Sequence, residues 1–158
     1  VEYRSGIGFD VHAFAAGRKL VLGGIAIDHP AGLAGHSDAD VLVHAIIDAL
    51  LGAAGLGDIG MHFPDTDPKY KNIDSLILLK ETGQKITSAG WNIGNIDATV
   101  VAQKPRLAGH TGGMKKRLAA VLDLPEDRIN LKATTTEKLG FTGREEGIAA
   151  LATALVYK

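Results

Sequence analysis

The first dozen residues constrain this chain most. From Glu2 the sequence alternates, and residues two apart on a strand face the same way. Tyr3, Ile7, Phe9 and Val11 therefore fall on one side, and Arg4, Gly6, Gly8, Asp10 and His12 on the other. The pattern predicts a strand with an apolar face, and an opposite face on which small residues lead up to a carboxylate and an imidazole with room in front of them. A complement follows in His36-Ser-Asp-Ala-Asp-Val-Leu-Val-His44. There Ser37 and Asp40 resemble a capping box that opens a helix, and His44 falls in its first turns. Asp10, His12 and His44 together form a three-ligand set of the zinc type with a fourth position open. Taken singly, Asp10 reads more readily as a strand end and His44 as a satisfied helix histidine; the combination argues for a metal. Asp48, one turn beyond His44, either holds its imidazole from behind or is an exposed helix carboxylate.

Further along, Leu20–Leu22 and Ile25–Ile27 read as two short strands about Gly23-Gly24. A helix is predicted from Asp38 to about Leu51, with Val41, Leu42, Ala45, Ile46, Ala49 and Leu50 as its buried stripe. The glycine-rich, polar stretch from Gly52 to Asn72 is too long for an ordinary connection, which points to a functional loop. It contains Gly57-Asp58-Ile59-Gly60 and Phe63-Pro64-Asp65-Thr66-Asp67, the latter in isolation an Asx and proline turn. A helix over 74–89 precedes a strand over 91–103, in which Ile96, Ala98, Val100 and Ala102 alternate with more polar residues. Met114, Leu118, Val121 and Leu122 mark another helix, and Ile129, Leu131 and Ala133 a strand running into Thr134-Thr135-Thr136-Glu137. Those hydroxyls and that carboxylate suit phosphate oxygens and magnesium, although a threonine-rich strand end is common on propensity alone. Gly140 to Gly147 reads as a constrained turn presenting Arg144. The segment from Ile148 to Tyr157 is apolar at nearly every position and is read as a strand. Strands alternating with helices imply a helix layer on a mixed sheet.

The chain has 158 residues, 46% of them apolar, which fits one domain (1–158) with a real core. With 17 Lys and Arg against 18 Asp and Glu, no basic field exists to hold nucleic acid or an anionic membrane. The absence of cysteine excludes disulfides, thiolate nucleophiles and Cys-based metal sites, so any metal is held by nitrogen and oxygen. No stretch reaches the ~18 apolar residues of a spanning helix, and no signal-peptide layout opens the chain. The expectation is a cytosolic protein. Starting at Val1 almost directly in a strand, it leaves room for a missing upstream segment: a tag, a transit peptide that would imply the plastid stroma, or a fused domain.

Gly-Phe-Asp-Val-His12, Gly35-His-Ser-Asp-Ala-Asp40, Gly57-Asp-Ile-Gly60, Phe-Pro-Asp-Thr-Asp67, Ala102-Gln-Lys-Pro105 and Lys132-Ala-Thr-Thr-Thr-Glu-Lys-Leu-Gly-Phe-Thr-Gly-Arg144 occur in one collinear series. In this series the chain closely resembles the 2-C-methyl-D-erythritol 2,4-cyclodiphosphate synthase family of the non-mevalonate isoprenoid pathway. The resemblance implies an α+β fold with a mixed, four-stranded-type sheet, helices on one face, and three sheets packed about the axis of a homotrimer. It implies one zinc per chain on Asp10, His12 and His44, and makes Asp10, His12 and Ser37 touch substrate as well. It makes His36 and Thr135 transition-state stabilisers that contact substrate, and sets Glu137 to ligate magnesium or manganese at the diphosphate, beside Thr134 and Thr136. Asp58, Ile59 and Gly60, with Phe63, Pro64, Asp65, Thr66 and Asp67, would contact ribose and methylerythritol. Ala102, Gln103, Lys104, Pro105, Arg106, Leu107 and Ala108 would form the cytidine pocket. Phe141 and Arg144 would reach the trimer axis, where an isoprenoid diphosphate could bind unless Glu146 pairs with Arg144. Glu145 departs from a family pattern that often has Gly, with consequences expected only for local charge.

The implied reaction is intramolecular: the substrate's 2-phosphate attacks its own β-phosphorus, closing the ring and expelling CMP. This agrees with a chain that offers ligands and hydroxyls but no protein nucleophile, since such catalysis rests on positioning and charge neutralisation. Two rival readings use the same residues. A zinc phosphohydrolase would add water-derived oxygen to a product, and a trimeric cytidine-nucleotide sensor would bind without turnover and need no open zinc position.

Overall fold

The computed structural model describes residues 1–158. A five-stranded mixed sheet forms its frame, in the order β4-β1-β7-β5-β6. β1 (Tyr3–Ala16) pairs antiparallel along nearly its whole length with β7 (Gly147–Tyr157), from Tyr3 opposite Tyr157 to Ala13 opposite Gly147. β7 pairs antiparallel with β5 (Asn92–Val101), which runs parallel to β6 (Ile129–Thr134). Parallel neighbours need a crossover, and α4 (Thr111–Leu122) lies within the one that joins β5 to β6. The apolar final segment is thus the central strand between β1 and β5. The expected four strands gain a fifth in β4 (Ala31–Leu33), a three-residue edge strand on the end of β1 too short to leave a periodic signal. β2 (Leu20–Leu22) and β3 (Ile25–Ile27) form a separate hairpin, as their Gly-Gly turn predicts.

The helices lie on one face. α1 (Val41–Ala54) packs on β1 and β7, α3 (Ser75–Ser88) on α1, and α4 on α3 and β6. Leu42, Ile46, Leu50, Leu79, Ile86, Ile96 and Met114 are fully buried between these layers, each contributing roughly 1.5–3 kcal/mol by leaving water. α1 is buried nearly all round rather than on one stripe.

β1 reverses an expectation. The face carrying Gly6 and Gly8 is filled by α1: a Cβ on Gly8 would lie 1.8 Å from the Ala45 carbonyl oxygen, and one on Gly6 2.1 Å from that of Ala49. Opposite them on β7 sit Ala152 and Ala154, both buried. Small residues here admit a helix backbone rather than a ligand, and the room in front of Asp10 and His12 begins only where the glycines end. The large apolar residues point away from the core, with Ile7 70% and Phe9 57% exposed. The same outer face carries Tyr3, Val11 and, on β7, Leu151.

α1 begins at Val41, with Asp40 rather than Ser37 as its cap. The Asp40 carboxylate accepts from the backbone N–H of Val43 (3.1 Å), Gly23 (3.0 Å) and Gly24 (2.8 Å), so one side chain caps the helix and docks the hairpin. Burial pushes this carboxyl up to about 6, against the opposing pull of the N–H groups on it. The long loop is partly ordered by α2 (Ile59–His62) and a 3-10 turn at Pro68–Tyr70, capped by Asp58 and Asp67. The turn before β7 contains one helical turn, α5 (Gly140–Gly143).

A candidate metal centre and two separate cavities

Period-two geometry puts Asp10 and His12 side by side on β1, and the first turn of α1 brings His44 over them. Asp10 Oδ2 lies 3.0 Å from His12 Nε2 and 3.1 Å from His44 Nδ1, and the two imidazole nitrogens are 3.2 Å apart. A tetrahedral zinc with bonds of about 2.0–2.1 Å has ligand-to-ligand edges of about 3.3 Å, so these atoms already form one face of such a polyhedron. Each ring's other nitrogen is occupied from behind. His12 Nδ1 donates to the Ala34 carbonyl (2.7 Å), and His44 Nε2 meets Ser75 Oγ (2.8 Å) and, at longer range, Ser37 Oγ (3.2 Å). This donor set, two imidazoles and a carboxylate backed by hydrogen bonds, fits a borderline cation such as zinc.

The electrostatics agree. Burial raises the Asp10 carboxyl, but hydrogen bonds and charge from His12 and His44 outweigh it and hold the group below the ordinary carboxylate range. Burial lowers His12, yet Asp10 and the Ala34 carbonyl together raise it above the usual imidazole value.

A cavity of about 360 Å³ opens in front of the triad. Besides Asp10, His12 and His44 it is lined by His36, Ser37, Ile59, Gly60, Phe63, Pro64 and Asp65, all singled out in the sequence, and by Tyr70, which was not. Thr66, Asp58 and Asp67 lie outside this lining, and the two carboxylates cap α2 and the 3-10 turn, accepting from Met61 N–H (3.0 Å) and Lys69 N–H (2.9 Å). His36 is fixed by its Nε2 donating to the Asp67 carbonyl (3.0 Å). The strap around it is held by Arg18, which donates to the carbonyls of Gly35 (3.1 Å) and Ser37 (2.7 Å). Asp48 does not support His44; it accepts from Ile59 N–H (2.7 Å), tying α1 to the cavity loop. The support comes from Ser75, in the first turn of α3, and through it from Asp38. Little in the sequence signals this, since a serine after Asp74 reads simply as a helix start.

The remaining predicted residues gather elsewhere. Ala102, Gln103, Pro105, Arg106, Leu107, Ala108, Thr134 and Thr135 line a second cavity of about 180 Å³ that shares no residue with the first. Lys104, joined to Pro105 by a cis peptide, lies outside its lining. Thr135 Oγ1 accepts from Glu137 N–H (3.1 Å), and Gln103 Oε1 from Lys138 N–H (3.1 Å), so the threonine segment and the 102–108 loop form one unit. Thr136 is spent locally on the Leu139 carbonyl (2.6 Å) and Thr142 (2.7 Å). A single chain therefore does not bring His36 and Thr135 to one cavity.

Phe141 is part-exposed, and Arg144 Nε donates to Glu146 Oε2 at 2.7 Å, so within the chain the arginine is paired. Glu145 sits at φ +60°. The left-handed region favours glycine, so this departure bears on backbone strain and not only on charge.

Comparison with known proteins agrees over the whole chain. The model of the YgbB family matches residues 3–157. The 2-C-methyl-D-erythritol 2,4-cyclodiphosphate synthase of Parabacteroides distasonis is 60% identical over 158 residues, covering all of this chain and 98% of that relative. The bifunctional IspDF of Campylobacter jejuni superposes with a TM-score of 0.95 at 52% identity, covering 98% of this chain but 42% of that longer one. The CDP complex of Plasmodium falciparum IspF superposes at 0.85 with 34% identity, covering 98% of this chain and 95% of that one.

Proposed function

The chain belongs to the YgbB family, and from that premise we propose that it is a phosphorus-oxygen lyase. It converts 4-diphosphocytidyl-2-C-methyl-D-erythritol 2-phosphate into 2-C-methyl-D-erythritol 2,4-cyclodiphosphate and CMP, a step of non-mevalonate isoprenoid biosynthesis. The observation that carries the reading is the convergence of Asp10, His12 and His44 within 3.2 Å of one another beside a cavity lined by His36 and Ser37. Full-length relatives at 57–60% identity bearing the synthase name support it further.

The balance of the reaction is internal. An oxygen of the 2-phosphate forms a bond to the β-phosphorus, the bond from that phosphorus to the oxygen bridging to the α-phosphate breaks, and CMP leaves with the electron pair. Zinc held by Asp10, His12 and His44 would supply Lewis-acid neutralisation of phosphoryl charge. The protein's own work is positioning. His36, braced by the Asp67 carbonyl, and Ser37, at the mouth of the metal site, hold the phosphate end; Ile59, Gly60 and Phe63 to Asp65 wall the methylerythritol and ribose. Thr135 donates to the charge developing on the diphosphate, and Glu137, with Thr134 and Thr136 beside it, would hold magnesium or manganese there. The 102–108 loop takes the cytosine.

This division points to two copies, because the metal-side cavity and the cytidine-side cavity share no lining residue within one chain. The chain works as a single-domain protomer of a cyclic homotrimer, each active site formed by the metal cavity of one copy and the 102–108 loop of its neighbour. The exposed Tyr3, Ile7, Phe9, Val11 and Leu151 on the outer sheet face supply an apolar surface for that assembly. An isoprenoid diphosphate bound between Phe141 and Arg144 at the threefold axis would have to draw Arg144 from Glu146. No helix is long and apolar enough to cross a membrane.

His44→Ala tests the reading. It should abolish both zinc binding and CMP release; full zinc occupancy in this variant would overturn the ligand assignment.

A further inference from the structure

Ser75 and Asp38 lie outside the lining of either cavity described above, and Ser75 is completely buried. Ser75 Oγ lies 2.8 Å from His44 Nε2 and 2.5 Å from Asp38 Oδ1, and its own backbone N–H reaches Asp38 Oδ2 at 3.1 Å. Asp38 Oδ1 also accepts from Asp40 N–H at 3.1 Å. The proton inventory of the contacts behind the ring decides which way the Ser75 hydroxyl points. A carboxylate only accepts, and a serine hydroxyl has one proton to give. Asp38 takes that proton, so Ser75 Oγ can meet His44 only as an acceptor, and His44 must carry its proton on Nε2. With Nε2 protonated, Nδ1 is the nitrogen left to bind a cation; until one binds, a proton there donates to Asp10 Oδ2 at 3.1 Å. Ser37 Oγ, at 3.2 Å from Nε2 and already accepting from Ala39 N–H, is a weaker alternative partner.

We infer that Asp38 and Ser75 are positioning residues for the metal centre: together they fix the His44 tautomer and ring angle that present Nδ1 to the cation. This rests on the metal reading proposed above and adds to it the source of the third ligand's orientation. Asp38 has a second consequence. It lies between His36 and Ser37 on one side and Asp40 on the other, and it grips the first residue of α3. The strap that lines the substrate cavity and the helix that backs His44 are therefore locked through one carboxylate. Neither residue touches substrate or metal; both act through His44.

Two variants test the relay. Asp38→Asn is nearly isosteric but puts an amide where a second acceptor stood. In the orientation that still caps the Ser75 N–H, that amide donates to Ser75 Oγ, releasing the serine proton toward His44 Nε2 and favouring the wrong tautomer. Ser75→Ala removes the acceptor outright and leaves the α3 cap in place. Zinc affinity is measured by competition with a chromophoric chelator, and the His44 tautomer by nitrogen-resolved NMR of the zinc-free protein at alkaline pH. The parent should show His44 protonated on Nε2. Both variants should lose that signature and bind zinc roughly 10- to 100-fold more weakly, the usual cost of removing an outer partner of a metal-bound histidine. Variants that are less heat-stable but keep the parent's tautomer and zinc affinity would show a merely structural role and overturn the inference. A parent that binds no zinc would remove the metal reading itself, and this relay with it. If Asp38→Asn does not fold, Ser75→Ala decides alone.

Discussion

Adding one methyl group at Gly8 should damage the fold and the metal centre together. The Cβ of Gly8→Ala falls 1.8 Å from the Ala45 carbonyl oxygen and 2.9 Å from Ala49 N. A carbon rests about 3.3 Å from a carbonyl oxygen, so α1 and β1 must separate locally by about 1.5 Å. Both neighbours are backbone and cannot turn aside as a flexible side chain would. Overpacking of a well-filled core costs about 1–3 kcal/mol, and this case belongs at the top of that range. The functional loss should be larger, because Ala45 follows His44 and Gly8 lies one strand repeat before Asp10. A metal site tolerates displacements of about 0.2 Å, so a shift several times larger should weaken zinc binding by at least 100-fold, about 2.7 kcal/mol. Urea titration followed through Trp91, the single tryptophan, gives the first quantity, and chelator competition the second. Gly17→Ala is the control: its φ of +76° carries strain but nothing lies within 4 Å of the new Cβ, so it should cost about 1–2 kcal/mol and leave zinc affinity intact. A Gly8→Ala protein with the parent's stability and zinc affinity would refute the close-approach argument.

Other outcomes follow from the same geometry. In the zinc-free protein, Asp10 lies below its ordinary value and His12 above. Their contribution to stability should therefore be greatest between about pH 4 and 6.5, the unfolded values. It should be lost as pH falls through the depressed Asp10 value and as it rises through the raised His12 value; urea midpoints of parent and His12→Gln that ran parallel across this range would contradict it. Glu145→Gly should stabilise by up to about 1 kcal/mol, since relief of left-handed strain is partly offset by the freedom glycine gains when unfolded; a lower melting temperature would argue against strain at this position. Mixing His44→Ala chains with chains disabled in the 102–108 loop should restore part of the activity that each lacks alone, and a fully active monomer would rule out sites shared between copies.

The sequence made the metal triad legible because its signal is local and periodic: two residues on one strand, and a histidine in the first turns of the next long helix. It made the central strand legible only by composition, since a segment buried against α1 and apolar on its outer face has no alternation to read. What it hid were relations between distant segments. Gly6 and Gly8 looked like space for a ligand because their occupant, the backbone of α1, has no sequence signature. Asp40 was readable as part of a capping motif, but not as the anchor of the Gly23-Gly24 turn. Asp48 stood at the right helical spacing to support His44, and the support came instead from Ser75, 31 residues away. The strain at Glu145 was invisible because the positive φ belongs to the turn, not to the residue type. The separation of the two cavities was likewise hidden, since collinear motifs say nothing about which of them share one chain's site.

In the proposed cyclisation the attacking oxygen belongs to the substrate. Turnover of 4-diphosphocytidyl-2-C-methyl-D-erythritol 2-phosphate in oxygen-18 water, with zinc and magnesium present, decides it by mass spectrometry of both products. Attack by the 2-phosphate should yield unlabelled CMP and an unlabelled cyclic diphosphate, in equal amounts. Label in CMP, or an open-chain labelled phosphate in place of the ring, would contradict it and identify a hydrolase built on the same three ligands.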